Sequence, residues 1–236
     1  PAVAAHLRSL EAALTPGEAF DPTTDRIRWQ VSMSDLGEIL FLQPLAAALR
    51  REAPLTHVVN AGVPAPRVSA ALESREIDLA IGILEATHRG IARERLFHER
   101  FVAITAPGWR PPAGRVGRTL TSRQLLASTL AVASPTATWH ESVQRMLDRY
   151  GLGARVVVRT RHYASLPELV RATDLLAIVP RMYAAKVSAH GELRVWGLPD
   201  PRLDYDVSLL WHESATGDPA HAWLRALVRR LFGRSG

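Results

Sequence analysis

Nine histidines and 23 acidic residues stand in a chain without a single cysteine. Acid–base, metal and hydrogen-bond chemistry are therefore open to it, while disulfides, thiolate nucleophiles and Cys-ligated zinc are not. The histidines lack metal-site spacing. His98-Glu99, His140-Glu141 and His212-Glu213 each miss the second histidine one turn on that a zinc protease needs, and no expected helix carries two histidines four residues apart. Neither a G-x-S-x-G elbow nor a G-x-x-x-x-G-K-[ST] phosphate loop is present. Gly151-Leu152-Gly153 lacks a third glycine and follows a helical stretch, so it fits a helix end better than a dinucleotide loop. These observations predict no enzyme, no metal and no cofactor.

Binding chemistry remains, and it depends on where side chains fall among strands and helices. Arg28–Met33, Thr56–Asn60 and Asp78–Leu84 have strand patterns, and Leu96–Ala106 holds one or two more. Between them, Asp35–Arg51 carries a helical stripe with Pro44 as a possible kink, and Pro66–Ser74 a short helix. After a Pro/Gly-rich loop at 107–117 the alternation restarts. Strands are expected at Thr129–Ala133, Arg155–Thr160, Leu175–Val179, Leu193–Trp196 and Tyr205–Trp211. Helices are expected from Thr121 and over Thr138–Tyr150, Leu166–Ala172, Arg181–Ser188 and Pro219–Phe232. Thr121 with Gln124, Thr138 with Glu141 and Ser165 with Glu168 have the spacing of capping boxes, and Asp218-Pro219 that of an N-cap before proline. Two βαβ runs on either side of the loop predict an α/β protein of two lobes.

Ligands of open α/β sheets bind beyond the carboxyl ends of strands, where loops lead into helix N-termini. That rule selects Ser32–Leu36, Gly82–Glu85, Ser134–Thr138, Thr160–Tyr163 and Pro180-Arg181. Hydroxyl and amide donors at helix starts favour an anion there. Six candidates follow: Ser34, Asp35, Thr136, Thr138, His162 and Tyr163. Each has a structural duty to weigh against a ligand. Ser34 could be only the turn residue before a cap at Asp35, which pairs in spacing with Glu38. Thr138 and Ser165 are caps first, whereas Thr136 has no capping duty. Tyr163 and Trp139 could wall a pocket or fill a core, and His162 is a polar ring at a strand end.

Arginine dominates a net charge of +6, with Lys186 the only lysine. The arginines are scattered, and the one cluster, Arg225, Arg229, Arg230 and Arg234, fits the solvent face of the last helix rather than a DNA patch. No apolar run approaches the roughly 18 residues of a membrane span, and no secretory signal opens the chain. Leu7, Leu10 and Leu14 have helical spacing, as at the end of a longer helix.

From Phe20 onward the chain resembles LysR-type transcription regulators. The carrying residues are Phe20-Asp21-Pro22, Arg26 to Glu38 (R-I-R-W-Q-V-S-M-S-D-L-G-E), Phe41 to Leu45, Asp78 to Gly82 (D-L-A-I-G), Leu96 to Val102, Asp174 to Pro180, Trp211-His212, Asp218-Pro219 and Trp223 to Arg225. The S-M-S-D-x-G-E stretch and the terminal W-H are similar to the branch that responds to salicylate and nitroaromatic breakdown products. The resemblance implies two Rossmann-like lobes joined by crossover strands, the periplasmic-binding-protein-like type II fold. Residues 1–25 would be linker helix and loop, 26–100 plus 206–236 lobe one, and 101–205 lobe two. It also implies a cytoplasmic sensing domain that binds a small effector, an aromatic carboxylate, between the lobes, with His162 as a contact. DNA would be met only through a winged helix-turn-helix absent from this chain. A homodimer is expected here and a homotetramer for the full-length protein. The alternative is a solute-binding protein of a transporter with the same fold, since a processed receptor would also lack a signal peptide.

Overall fold

In the computed structural model, residues 20–84, 88–112, 117–133, 141–199 and 204–233 are described. Among the described residues ten strands form two sheets. Lobe one has β1 (Arg28–Ser32), β2 (His57–Asn60), β3 (Leu79–Gly82), β4 (Ile91–Glu99) and β10 (Tyr205–His212), in the order β2-β1-β3-β10-β4. Lobe two has β5 (Phe101–Thr105), β6 (Leu130–Ala133), β7 (Val156–Thr160), β8 (Leu176–Pro180) and β9 (Arg194–Gly197), in the order β7-β6-β8-β5-β9. The two sheets repeat one plan. β1 runs parallel to β2 and β3, as β6 does to β7 and β8, and an antiparallel strand, β10 or β5, completes each. This is the type II periplasmic-binding-protein-like fold.

Burial follows position in the sheet. β6 and β8 are buried at every residue, as their unbroken apolar sequence requires, whereas edge strand β7 alternates between half-buried and exposed. One apolar cluster runs through both lobes, from Leu45 and Leu49 through Leu79 and Ile104 to Leu166 and Val179. Each such side chain contributes about 1.5–3 kcal/mol by leaving water. Two smaller clusters, around Leu125 and Leu147 in lobe two and around Leu72 and Ala80 in lobe one, fill the other faces.

The first long helix, α1, departs from the expected single span. It runs as Asp35–Gly37, a π-helical segment Glu38–Leu42, and Gln43–Glu52. Pro44 supplies the reason. It has no N–H for the carbonyl of Leu40, so the hydrogen-bond register widens in the turn before it. The remaining helices are α2 (Val68–Glu73), α3 (Ser122–Leu126), α4 (Glu141–Tyr150), α5 (Leu166–Ala172), α6 (Arg181–Val187) and α7 (Pro219–Phe232). The strand expected from Leu96 begins at Ile91, because Ile91–Glu99 is an edge strand whose Arg93 and Arg95 face solvent.

The capping boxes divide. Thr121 and Gln124 form theirs in full. Ser165 does not: a 3-10 turn, Tyr163–Ser165, precedes α5, the Ser165 hydroxyl donates to the His162 carbonyl at 2.9 Å, and Glu168 pairs with Arg171. Thr138 lies outside the described residues. Asp218 caps α7 by accepting the His221 N–H at 2.9 Å.

Arg225 corrects the expectation of a wholly solvent-facing arginine cluster. Its side chain is buried, donating to the carbonyls of Ala215 (3.0 Å) and Thr216 (2.8 Å) and to His221 Nδ1 (2.6 Å), with Trp211 beneath it. His221 Nε2 therefore carries the proton and donates to the Asp78 carbonyl at 3.0 Å. Burial, reinforced by the Arg225 charge, pushes the His221 pKa down. Arg229 and Arg230 do face outward, against Glu94 and Glu52.

Candidate functional site

Ser34 begins the site, and its role differs from the expected one. Its backbone is extended, and its hydroxyl accepts the Gly37 N–H at 3.1 Å, so Ser34 rather than Asp35 is the cap of α1. Glu38 does not reach back to complete a box; its carboxylate accepts from Asn60 Nδ2 at 2.7 Å. Asn60 also brackets Met33, accepting its N–H at 3.0 Å and donating to its carbonyl at 3.1 Å. The joint between β1 and α1 is thus pinned from β2. Gly37 is required here by space: a Cβ on it would lie 2.8 Å from Met33 Cβ.

Released from capping, the Asp35 side chain crosses to lobe two. Its Oδ2 accepts the Tyr163 N–H at 2.8 Å, and His162 Nδ1 stands 3.8 Å from the same oxygen. Its Oδ1 is buried without a hydrogen-bond partner among the described residues. On the lobe-two side the His162 carbonyl accepts from Thr160 and Ser165, each at 2.9 Å, which fixes the backbone while the ring remains 70% exposed. Tyr163 is core: its ring is buried and packs edge-on against Tyr183 at 5.8 Å, and Tyr183 OH donates to the Tyr163 carbonyl at 2.8 Å. Burial and the Asp35 charge raise both phenols, Tyr183 to about 12, so both stay protonated at neutral pH.

Beside Ser34 lies the interlobe cleft. Ser34, Gly37 and Gly82 line it from lobe one, Pro180 and Met182 from lobe two, and Tyr205 from β10. Its volume is about 30 Å³. Glu99, at the end of β4, also lines it and is buried. Its two carboxylate oxygens accept the N–H groups of Arg100 (2.8 Å) and Met182 (2.9 Å), which tie the crossover to the first turn of α6. None of the described residues lining the cleft is basic. Nearer the surface, Lys186 Nζ donates to Gln43 Oε1 at 3.0 Å, a further polar link between lobes.

The structure therefore brings Asp35, His162 and Tyr163 together and sets Ser34 in the cleft wall. Thr136, Thr138 and Trp139 lie outside the described residues. Glu99, Met182 and Tyr205 were not anticipated. A carboxylate between two apolar strands, as in Leu96-Phe97-His98-Glu99-Arg100-Phe101-Val102, was the available signal for Glu99. A larger hollow of about 470 Å³, between the Trp109 loop and Thr173-Asp174, belongs to lobe two alone. A ligand there would touch one lobe and could not by contact favour one lobe angle over another.

Residues 25–233 match the family model of the LysR substrate binding domain. The HTH-type transcriptional activator NagR of Ralstonia sp is 29% identical over 229 residues, which cover 97% of this chain and 75% of that one. The HTH-type transcriptional activator NahR of Pseudomonas putida is 28% identical over 233 residues, covering 98% and 75%. Among solved structures, a probable transcriptional regulator from Pseudomonas aeruginosa superposes with a TM-score of 0.77 at 28% identity, covering 99% of this chain and 76% of that one. The regulatory domain of MexT, a transcriptional activator in the same organism, has a TM-score of 0.70 at 24% identity, covering 86% and 99%, and shares the fold. The transport-receptor alternative is not favoured by these relatives, which are transcription regulators rather than enzymes or carriers. With both sheets, the crossover and the interlobe cleft matched along nearly its whole length, this chain belongs to the LysR substrate-binding domain family, the effector-binding part of LysR-type transcription regulators.

Proposed function

We propose that the domain senses a small aromatic carboxylate held between its lobes. His162 and the Tyr163 N–H contact it from lobe two, and Ser34 contacts it from lobe one. Thr136 and Thr138 belong to the lobe-two side of the same proposal. The lobes themselves would be residues 26–100 plus 206–236 and residues 101–205, with 1–25 leading in. One observation supports this above the others: the Tyr163 N–H and the His162 ring already face a carboxylate, that of Asp35, presented from the opposite lobe at 2.8 and 3.8 Å. The aromatic character rests on the likeness of S-M-S-D-x-G-E to the salicylate- and nitroaromatic-responsive branch.

The cleft volume gives the mechanism its direction. A dry site for one benzene ring needs on the order of 150 Å³, and the cleft offers about 30 Å³. An aromatic ring would enter there by parting the lobes, and its binding energy would then favour a more open angle. That differential affinity is what a switch requires. DNA contact would come through a winged helix-turn-helix outside this sequence, and the domain would pair with a second copy.

A thermal-shift screen over small aromatic acids tests the ligand class. At 100 times its dissociation constant a ligand adds about 2.7 kcal/mol, which for a domain of this size raises Tm by about 5–11 °C. A screen in which no aromatic acid shifts Tm while another solute class does would refute the proposal. Sedimentation at tens of micromolar tests pairing, and a monomer there counts against it.

A further inference from the structure

Asp35 stands where a ligand carboxylate would stand. We infer that Asp35 is a built-in competitor of the effector: its carboxylate fills the acceptor position at the Tyr163 N–H in the unliganded domain, and an effector carboxylate takes that position by displacing it. The inference rests on the proposal above that the effector is a carboxylate bound between the lobes.

Five observations lead to it. The Asp35 carboxylate is not the cap of its own helix, because Ser34 caps α1. It bonds across to lobe two instead, 128 residues away in sequence. The contact is also poorly satisfied. Oδ1 is buried without a partner among the described residues, and a desolvated, unpaired carboxylate oxygen offsets much of what the Oδ2 bond contributes. A bridge of this kind is displaceable.

The donor that it serves imposes a further constraint. The Tyr163 N–H opens the 3-10 turn that feeds α5, next to a buried ring, and a part-buried backbone donor needs an acceptor. Withdrawal of Asp35 with nothing in its place would orphan that N–H. Exchange of one carboxylate for another keeps it paired. The exposed His162 ring can turn to either carboxylate. Finally, the cleft lined by Ser34 has a volume of about 30 Å³ in this structure, in which Asp35 holds the Tyr163 N–H, so a ring that entered beside Ser34 would part the lobes.

Two readouts on the domain test this, with 2-hydroxybenzoate as the probe. In amide exchange followed by NMR, Asp35→Ala should speed exchange of the Tyr163 N–H by about 10- to 150-fold, the loss of one charge-assisted hydrogen bond. In calorimetric titration the same substitution should tighten 2-hydroxybenzoate binding by up to that factor, since the probe no longer displaces an occupant. Bound probe should restore Tyr163 protection in the variant. Asp35→Asn, a neutral acceptor of the same shape, should be intermediate in both, and carries the test if Asp35→Ala does not fold. Unchanged Tyr163 exchange in Asp35→Ala overturns the bridge. Faster exchange with weaker binding shows Asp35 to be a ligand contact and overturns the competition. Faster exchange with no binding by either protein sinks the carboxylate proposal, and displacement with it, while the bridge itself stands established.

Discussion

Gly37→Ala sets two effects against each other. Gly37 has helical dihedrals, φ −60° and ψ −41°, and alanine in a helix interior is ordinarily favoured over glycine by about 1 kcal/mol. Propensity alone would therefore raise stability. Packing opposes it. The new methyl would lie 2.8 Å from Met33 Cβ, 3.4 Å from Met33 Cγ and 3.6 Å from Phe41 Cδ2. Met33 cannot yield by a side-chain rotation, because the closest atom is its own Cβ. Its backbone is held on both sides by Asn60, at 3.0 and 3.1 Å, and its side chain is buried. Overpacking of this kind costs about 1–3 kcal/mol, which outweighs the propensity gain by about 1 kcal/mol at the centre of the range. In a domain of this size that lowers Tm by about 2–4 °C. Thermal melting followed by circular dichroism measures it. The strain should also be local, so the Gly37 N–H, which Ser34 accepts, should exchange faster. A Tm equal to or above that of the parent would refute the argument, showing that the β1–α1 joint has slack.

His162→Ala should leave stability within about 0.5 kcal/mol of the parent, since its 70% exposed ring makes only a 3.8 Å approach to Asp35. It should weaken aromatic carboxylate binding by about 10- to 150-fold in calorimetry; undiminished affinity would remove His162 from the site. His221 should make stability fall with acid. Its pKa is lowered in the folded state, so its contribution is whole above about pH 6.5 and fades as pH drops toward the folded value, while the unfolded chain takes up the proton. Chemical denaturation between pH 7.5 and 5 should show this slope, reduced in His221→Gln; an equal slope in the variant would contradict it. Thr121→Ala should cost about 1 kcal/mol for a lost capping box, and Ser165→Ala distinctly less. Equal losses in urea titration would mean that Ser165 does cap α5.

The buried strands were legible because their residues leave no alternative: Leu-Ala-Val-Ala at 130–133 and Leu-Ala-Ile-Val-Pro at 176–180 can only be covered on both faces. Helix starts were legible where one side chain has a purely local partner, as Thr121 does. They misled where a long-range partner competes. Asp35 has the spacing of a cap but finds the Tyr163 N–H across the cleft, and Glu38 finds Asn60. Spacing along the chain cannot reveal such partners. Arg225 was placed outside by periodicity because its three acceptors, two carbonyls and an imidazole, carry no charge that would mark the position as polar in sequence. Glu99 escaped for the same reason, with two backbone N–H groups as its partners.

Strand β10 lies inside the first sheet, between β3 and β4, although it comes last of the ten described strands in the chain. Lobe two is written in one uninterrupted stretch of strands from Phe101 to Gly197, whereas lobe one needs both ends of the sequence. During synthesis the second lobe can close its sheet as soon as it emerges. The first must wait, with β3 and β4 unable to meet and their facing edges open, until Tyr205–His212 arrives to fill the gap. Loss of the C-terminal strand and helix would thus leave a hole in the middle of the lobe that carries Asp35. A translation stop after residue 200 should yield an aggregation-prone chain in which only the second lobe is protected from proteolysis.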